Sequence, residues 1–340
     1  MPSLGWLSPT AARDGDENAF AQLIGAYRNE LSAHCYRMLG SVHDAEDALQ
    51  ESLLRAWRGL APFEGRSSLR SWLYTIATNV CLRAIERRPK RVLPIDYGPS
   101  ADDPHAAHGE PLVESVWVEP YPDAGLGLAD GLAGPDARYE LRESVELAFI
   151  AALQHLPAQQ RAVLILRDVL GFTGAEVADV LQTTPGAVYA ALQRAHDTVD
   201  QRLPAQTQQA TLRSLGDDGL RAIVEGFVDA WERADVDALT AKLAEDAALT
   251  MPPWSEWYRG RDAIAAFLRA TPLSDRYRWR VVPTQSNGQP AFAHYLWDAE
   301  AAAFMPHGIA VLTLDGDRIG ELTIFRDPEL LARFGLPERV

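Results

Sequence analysis

Basic side chains that could bind the phosphates of a nucleic acid are concentrated in one stretch of the sequence. Residues 63–91 contain seven basic and two acidic residues, whereas the whole chain carries a net charge of −15. Ionic screening confines the field of such a cluster to about 8–10 Å, so an acidic protein can still present a basic surface to nucleic acid. A solvated helix end, where cations suit the helix dipole, is the alternative interpretation of its last residues, Arg87 to Arg91.

Residues of the types that catalyse proton transfer lie near the other end of the chain. Asp246, His294 and His307 are such residues, but no spacing singles out a pair of them. We therefore expect no catalytic residues here and a filled apolar core, with ligand binding as the first alternative and catalysis as the last. The residues that could line a ligand pocket are Trp254, Trp257, Tyr258, His294 and Trp297.

The composition argues against several classes of protein. The two cysteines, Cys35 and Cys81, lack a CxxC or Cys/His neighbour at metal spacing, so we expect no disulfide scaffold, no metal site and no cofactor. No run of about 18 apolar residues occurs, and residues 1–20 lack the basic-then-apolar order of a signal peptide. We expect a cytoplasmic protein without membrane contact and with two or three domains, because single cores rarely exceed about 250 residues.

Helical periodicity predicts three helices in the first part of the chain. Apolar residues recur at three- and four-residue steps through residues 20–38, 45–60 and 69–84. Gly40 is expected to end the first helix, and Pro89 the third. Ser41, followed three residues later by Asp44, resembles a capping pair before the second.

Residues 92–139 differ from their surroundings. Thirteen of these 48 residues are Pro or Gly, nine are acidic and one is basic, and no helical or alternating period persists. We expect a linker that is longer than compact domains normally tolerate, and therefore either disordered or functional. Trp117 and Tyr121 make one part of it too aromatic for a plain spacer, which suggests a docking segment.

The remaining residues predict two further modules. In residues 140–203, the capping box of Thr173 opens a short helix, and Thr184 with Pro185 opens a longer one after a tight turn, which together make a helix-turn-helix. In residues 217–335, three helices are followed by four strand-like runs, with hairpin signals at Asn287-Gly288 and Asp315-Gly316, an α+β pattern.

Four motifs carry a family resemblance. The sequence D-A-E-D-A-L-Q-E at 44–51, followed by L-R-A-W at 54–57, resembles region 2.2 of a bacterial sigma factor, and residues 63–88 resemble regions 2.3–2.4. Residues 156–168 resemble region 4.1, and the helix-turn-helix resembles region 4.2. Residues 15–203 therefore resemble an extracytoplasmic-function (ECF) sigma factor of the sigma-70 type. Residues 217–335 resemble a SnoaL-like domain of the nuclear transport factor 2-like fold.

The resemblance implies a multidomain architecture and a set of partners. It places all-α sigma region 2 at residues 15–91, the acidic linker at 92–139, sigma region 4 at 140–203 and an α+β cone at 217–335. It implies binding to the RNA polymerase core, through the β′ clamp helices and the β flap, and to promoter DNA at the −10 and −35 elements. The SnoaL-like domain would regulate initiation in cis, with or without a small-molecule ligand.

The resemblance also assigns roles to individual residues. Those expected to bind the polymerase core are Asp44, Asp47, Gln50, Glu51 and Leu54. Those expected at the −10 element are Arg66, Arg70, Trp72, Asn79, Arg83, Arg87 and Arg88, although the helical spacing of Trp72 favours a core position. Those expected at the −35 element are Thr183, Thr184, Gly186, Ala187, Tyr189, Ala190, Gln193 and Arg194.

Two residues depart from the family pattern, and two other functions remain open. Gln182 stands where the turn usually has glycine, which would cost on the order of 1 kcal/mol if φ is positive. His196 stands where arginine is frequent, which would weaken one phosphate contact at neutral pH. The alternatives are a cyclase- or isomerase-like or ligand-sensing protein with a DNA-binding N-terminal half, and a repressor that uses only the helix-turn-helix.

Overall fold

The computed structural model describes residues 9–65, 67–105, 109–112, 116–126, 142–204 and 206–340, which form two compact units. The first unit contains the described residues up to Lys90, Gly125 and Leu126, together with Phe149–Leu203. The second contains the described residues of Arg91–Ala124, residues 142–148 and the described residues of Pro204–Val340. Helical modules followed by a mixed-sheet domain confirm the fold class predicted from the sequence.

Nine α-helices are described before residue 204, together with a 3-10 helix (Asp123–Leu126) and a π-helix (Ile165–Val169), and local sequence explains where several of them start and stop. They are α1 (Pro9–Arg13), α2 (Glu17–Leu39), α3 (Val42–Leu60), α4 (Leu69–Ile85), α5 (Pro94–Tyr97), α6 (Leu147–Gln154), α7 (Ala158–Leu164), α8 (Gly174–Val180) and α9 (Pro185–Asp200). Ser41 accepts a hydrogen bond from the amide of Asp44 and caps α3, and Gly40 ends α2 with a φ of 69°. The capping box of Thr173 and Glu176 forms as predicted at the start of α8.

In the first unit, the early helices pack against the segment that follows α6. The guanidinium of Arg161 is buried and donates to the carbonyls of Met38, Gln154 and Leu156. The amide of Gln154 donates to the carbonyl of Arg37 at 3.3 Å. The two segments that resemble sigma regions 2 and 4 therefore share one polar core in this structure.

Arg161→Leu is expected to lower the free energy of unfolding by about 2–4 kcal/mol, because buried carbonyls would lose their donor. Denaturant unfolding followed by far-UV circular dichroism measures this change. Arg58→Leu, at an exposed position of α3, is the control and should change stability by less than about 0.5 kcal/mol. Equal stability of the two variants would contradict the role given to Arg161.

The C-terminal part of the second unit is a curved sheet with helices on one side. Its helices are α10 (Gln208–Glu232), α11 (Val236–Thr240), α12 (Arg261–Ala270) and α13 (Glu329–Arg333). Its strands are β1 (Leu243–Thr250), β2 (Trp257–Arg259), β3 (Trp279–Ser286), β4 (Gln289–Asp298), β5 (Ala303–Asp315) and β6 (Arg318–Phe325). The strand order is β2-β1-β6-β5-β4-β3, with β1 and β6 parallel and the other neighbours antiparallel.

Aromatic side chains fill the space between the sheet and α10. Phe227 stacks on Phe292 with ring centroids 4.4 Å apart, and Trp231 lies one helical turn further along. Both hairpin turns predicted from Asn-Gly and Asp-Gly are present, between β3 and β4 and between β5 and β6. No helix among the described residues is long and apolar enough to cross a membrane.

Candidate functional site

An exposed stripe on α3 brings acidic, amide and apolar side chains onto one helix face. Asp47, Gln50 and Leu54 recur at three- and four-residue steps, and all three are exposed. Leu54 has 43% of its surface exposed, which is unusual for a leucine next to a packed core. Glu51 lies on the same face and pairs with Arg55 at 2.6 Å. This surface has the apolar centre and polar rim of a protein interface.

Asp44 was predicted to belong to this stripe, but the structure buries it. Its side chain is 7% exposed and forms an ion pair with Arg88. This position lies in the first turn of α3, where a carboxylate also suits the helix dipole. In this structure Asp44 therefore ties α3 to the end of the basic segment.

The basic segment keeps two exposed arginines at the end of α4. Arg83 and Arg87 are exposed, and neither takes part in an ion pair within the described residues. Arg66 was also predicted to bind DNA, and it lies outside the described residues. Free guanidinium groups at a helix end can bind phosphates without first breaking a competing contact.

The other residues predicted for this surface have partners inside the first unit. Arg70 donates to the carbonyl of Leu170 at 3.3 Å, and its guanidinium lies 4.6 Å above the ring of Phe172. The Trp72 ring packs 4.8 Å from that of Phe63 but is only half-buried, so it does not occupy the core position that its spacing favoured. The Asn79 amide donates to the carbonyl of Thr75 at 2.9 Å.

The helix-turn-helix consists of α8, a four-residue turn and α9. Thr184 accepts a hydrogen bond from the amide of Ala187, and Pro185 occupies the first turn, as the sequence predicted. Every residue predicted to reach the −35 element is exposed: Thr183, Thr184, Gly186, Ala187, Tyr189, Ala190, Gln193 and Arg194. The first turns of a recognition helix are where base contacts are made, so α9 presents a suitable surface.

Both departures from the family pattern have structural consequences. Gln182 adopts a φ of 51°, the left-handed conformation for which glycine is usual. The Nε2 atom of His196 lies 2.6 Å from the carboxylate of Asp168, so this imidazole forms a hydrogen bond within its own 140–203 segment. A phosphate contact by His196 would therefore require breaking that hydrogen bond.

The linker packs on the C-terminal domain within the second unit. The indole of Trp117 donates to the carbonyl of Pro253 at 3.1 Å, and the indole of Trp257 donates to the carbonyl of Gly98 at 2.8 Å. Val92 forms a parallel bridge with Trp117, which closes a loop of the linker. Trp117 and Tyr121, predicted as docking residues, are both buried.

The hairpin turn between β3 and β4 contacts the linker at Tyr121 and the start of the 140–203 segment at Val145. The Asn287 side chain accepts from the amide of Tyr121 at 2.8 Å and donates to the carbonyl of Val145 at 2.7 Å. Its backbone amide donates to the carbonyl of Tyr121 at 3.1 Å. Asn287 is fully buried in these contacts. One residue thus clamps the chain before and after residues 122–144.

A buried carboxylate strengthens the second of these attachments. Glu146 accepts hydrogen bonds from the amides of Gln208 and Gln209, at 3.1 and 2.8 Å, where α10 begins. Burial raises the pKa of Glu146 to about 7, and the two amides partly oppose that shift. The first residues of the 140–203 segment are therefore joined to the C-terminal domain by contacts of Val145 and Glu146.

The five aromatic and imidazole residues predicted to line a ligand pocket are not brought together. His294 and Tyr258 lie in the core of the C-terminal domain. Trp297 follows His294 by three positions on β4, so strand alternation turns it to the opposite face, against Phe304. Trp254 lies beneath the guanidinium of Arg326 at 4.3 Å, and Trp257 contacts the linker as described above.

Sequence reasoning missed Asn287 and Arg326 as candidate functional residues. Asn287 was predicted only as half of a hairpin turn, and a turn sequence carries no sign of what its side chain will contact. Arg326 follows the last strand, two positions after the inward-facing Ile324. Strand alternation could have placed Arg326 on the inner face, had the strand end been known.

Three family models match successive parts of the chain. Sigma-70 region 2 matches residues 23–91, sigma-70 region 4 matches residues 146–196, and the SnoaL-like domain matches residues 224–322. The first two ranges contain α3, α4 and the helix-turn-helix. The third contains most of the curved sheet.

Whole-chain comparisons agree with this order of domains. The chain is 40% identical over 331 residues to the ECF RNA polymerase sigma factor SigG of Mycobacterium tuberculosis, covering 97% of this chain and 86% of that protein. It is 28% identical over 193 residues to the ECF RNA polymerase sigma factor SigW of Bacillus subtilis, covering 56% and 92%. The crystal structure of the M. tuberculosis extracytoplasmic-function sigma factor SigJ matches with a TM-score of 0.55 and 20% identity, covering 93% and 100%.

Proposed function

Because the chain belongs to the ECF sigma factors of RNA polymerase, we propose that separate exposed surfaces bind the core polymerase, the −10 element and the −35 element. We also propose that the C-terminal domain controls the distance between the two DNA-binding surfaces. As a sigma factor, the protein directs RNA polymerase to promoters. Its α3 stripe binds the β′ clamp helices of the core enzyme, and region 4 binds the β flap. The apolar centre of the stripe at Leu54 and its acidic rim support this assignment.

The two DNA-reading surfaces lie on α4 and α9. Arg83 and Arg87 bind the backbone of the melted −10 strand, while Asn79 must exchange its bond to Thr75 for one to a base edge. The exposed Gln193 and Arg194 on α9 are suited to adenine and guanine edges at the −35 element. Residues 140–203 are acidic overall, so affinity for the −35 element depends on simultaneous attachment to polymerase.

The double variant Arg83→Ala/Arg87→Ala is expected to flatten the salt dependence of open-complex formation. Each lost phosphate contact lowers the slope of log K against log[salt] by about 0.7 for single strands, so the slope should fall by about 1.4. Arg221→Ala/Arg339→Ala removes the same charge from exposed positions of the C-terminal domain and is the control. If the wild type and both variants have the same slope, Arg83 and Arg87 are solvated surface residues and do not bind the DNA backbone.

Control by the C-terminal domain is supported by one observation: the described part of the linker is held at Trp117 and Tyr121, and the chain after it is held at Val145. The bridge between Val92 and Trp117 closes one loop, and Asn287 closes a second between Tyr121 and Val145. Fully extended, 48 residues would reach roughly 160 Å. The path through the described contacts, from Val92 across to Trp117, along to Tyr121 and across Asn287 to Val145, spans roughly 30 Å.

The two promoter elements lie further apart than the pinned linker can span. Elements named −10 and −35 are separated by about 25 base pairs, or roughly 85 Å of B-DNA. Two modules of about 75 residues are each roughly 30 Å across, which leaves a gap of roughly 55 Å for the linker. We therefore infer that the C-terminal domain helps to hold the factor closed, and that the linker must be released and the core shared through Arg161 must open before both elements are bound.

Run-off transcription with core polymerase tests this function. A chain truncated after Leu203 keeps the linker but loses the domain that pins it, and it should give more transcript than the full-length protein at equal concentration. The promoter preference should remain unchanged, because α4 and α9 are retained. Equal transcript from both proteins over a range of concentrations would remove the regulatory role.

A further inference from the structure

Arginine and aromatic residues alternate where the chain enters β3. The sequence R-Y-R-W-R occupies residues 276–280, so three of the 14 basic residues of residues 204–340 lie within five positions. Residues 204–340 also contain 20 acidic residues, so this is a local basic patch on an acidic domain. The polymerase-binding and promoter-binding surfaces described above use none of these three arginines.

Strand pairing places part of this patch beside two aromatic rings on the outer face of the sheet. Phe292 on β4 faces α10, so Tyr295 and Trp297 on the same strand face away from that helix. Arg280 pairs in register with Tyr295, and Trp297 pairs in register with Phe304 on β5. The Trp297 and Phe304 ring centroids lie 5.1 Å apart. Arg280 and the two rings therefore share one face.

Two guanidinium groups lie over these two rings. Arg278 lies 4.9 Å from the centroid of the Trp297 ring, and Arg280 lies 5.5 Å from that of Phe304. Both rings are half-buried, whereas Arg276, Arg278 and Arg280 are exposed. A guanidinium that packs on a ring still presents N–H donors at its edge. These five residues, here called the arginine–aromatic surface, thus form two neighbouring arginine–ring pairs and one flanking arginine.

The positive charge of this surface is available to an external anion. Within the described part of the chain, Arg276 and Arg278 take part in no ion pair. Arg280 pairs with Glu232 at 3.2 Å, and the Arg280 side chain is 53% exposed in that pair, so a phosphate can compete for it. The carboxylate of Asp298, next to Trp297, accepts hydrogen bonds from amides of its own turn.

Cations beside aromatic rings are the two components of a surface that binds single-stranded nucleic acid. Phosphates pair with the cations, and unpaired bases stack on aromatic rings or on arginine guanidinium planes. A duplex keeps its base faces stacked inside, and the carboxylates of an acidic protein have no face to stack. Arg278 and Arg280 are two residues apart, or roughly 7 Å along an extended chain. Two successive nucleotides can therefore each contact one arginine–ring pair.

We propose that the arginine–aromatic surface binds a short single-stranded segment of nucleic acid. Two neighbouring bases stack on the Arg278–Trp297 and Arg280–Phe304 pairs, and Arg276 holds a flanking phosphate. DNA and RNA single strands share this chemistry. The inference goes beyond the proposed function, because it uses no residue of α3, α4 or α9 and needs neither polymerase nor a promoter.

Fluorescence anisotropy with labelled oligonucleotides of about 12 nucleotides tests this binding. The full-length chain carries Arg83→Ala/Arg87→Ala, so that the surface proposed for the −10 strand does not contribute. Oligothymidylate or oligouridylate should bind at least about 10-fold more tightly than a duplex of the same length, and the tighter of the two identifies DNA or RNA as the source. The proposal is wrong if neither single strand binds, or if the duplex binds equally well.

The salt dependence of this affinity tests the phosphate contacts. Arg276→Gln/Arg278→Gln should lower the slope of log K against log[salt] by about 1.4, at about 0.7 for each lost contact to a single strand. Arg221→Gln/Arg269→Gln removes the same charge from exposed positions of α10 and α12 and should leave the slope unchanged. Equal slopes in the two double variants would exclude the arginine–aromatic surface as the site.

Substitution of Trp297 tests the stacking. Trp297→Leu should weaken binding by about 5- to 150-fold, the contribution of one stacked base, with an unchanged salt slope. Trp297→Phe keeps a ring and should recover most of the affinity, while thermal melting verifies that both variants are folded. Equal affinity of the leucine and phenylalanine variants would rule out stacking and overturn the proposal. Polyglutamate competing as well as oligothymidylate would indicate an acidic protein partner and would also overturn it.

Discussion

Reversing Asp47 and Glu51 to lysine is expected to weaken binding to core RNA polymerase by about 100-fold or more. Both carboxylates lie on the exposed stripe of α3 beside Leu54. Like charges brought together across an interface cost several kcal/mol, and about 2.7 kcal/mol corresponds to 100-fold. The cost to folding is small, because within the described part of the chain the ion pair lost is the contact of Glu51 with Arg55, a type that contributes about 0.3–0.5 kcal/mol.

The measurement is the affinity of labelled protein for core polymerase, with Asp218→Lys/Glu225→Lys as the control. These two residues are exposed on α10, and their reversal changes the net charge by the same amount. The control should bind core enzyme like the wild type. If both variants bind equally well, α3 is not the polymerase-binding helix.

Releasing the linker with Asn287→Gly is expected to accelerate chymotrypsin cleavage after Trp117 by about 100-fold; the Tyr121–Pro122 bond is not a chymotrypsin site. Glycine accepts the positive φ of 58° at this turn, so the backbone is not strained. The side-chain contacts to Tyr121 and Val145 disappear, and two or three bonds of about 1 kcal/mol each contribute to the opening equilibrium. Cleavage rates follow that equilibrium when opening is fast.

Ala302→Gly provides the matched control for this variant. Ala302 also has a positive φ, 48°, and lies in the exposed turn between β4 and β5. Replacing Ala302 by glycine removes a methyl group and no linker contact, so cleavage of the linker should not change. Equal cleavage in the two variants would show that Asn287 does not hold the linker.

Much of the local structure was predictable because its causes are local. The capping box at Thr173, Pro185 in the first turn of α9 and the Asn287-Gly288 turn each depend on a few adjacent residues. The residues assigned to the −35 element on α9 came from the resemblance to region 4.2, and all of them are exposed. The ordered motifs of sigma regions 2 and 4 then indicated the family before any contact was known.

The contacts between distant segments could not be read from the sequence. Asp44 and Arg88 were each assigned to a binding surface, yet they pair with each other across 44 positions. Docking was suggested for Trp117 and Tyr121, but nothing in their spacing indicated Pro253 and Asn287 as their partners. Strand alternation also places the predicted pocket residues on two faces of the sheet, and the sequence did not show where each strand ends.

The most direct test of control through the linker is single-round run-off transcription from one promoter with wild type, Asn287→Gly and Ala302→Gly. Pinning through Asn287 predicts that Asn287→Gly yields more transcript than wild type, approaching the chain truncated after Leu203, while Ala302→Gly matches wild type. If the truncated chain gains activity but Asn287→Gly equals wild type, the domain does not act by holding the linker. If neither gains activity, the C-terminal domain does not keep the factor closed.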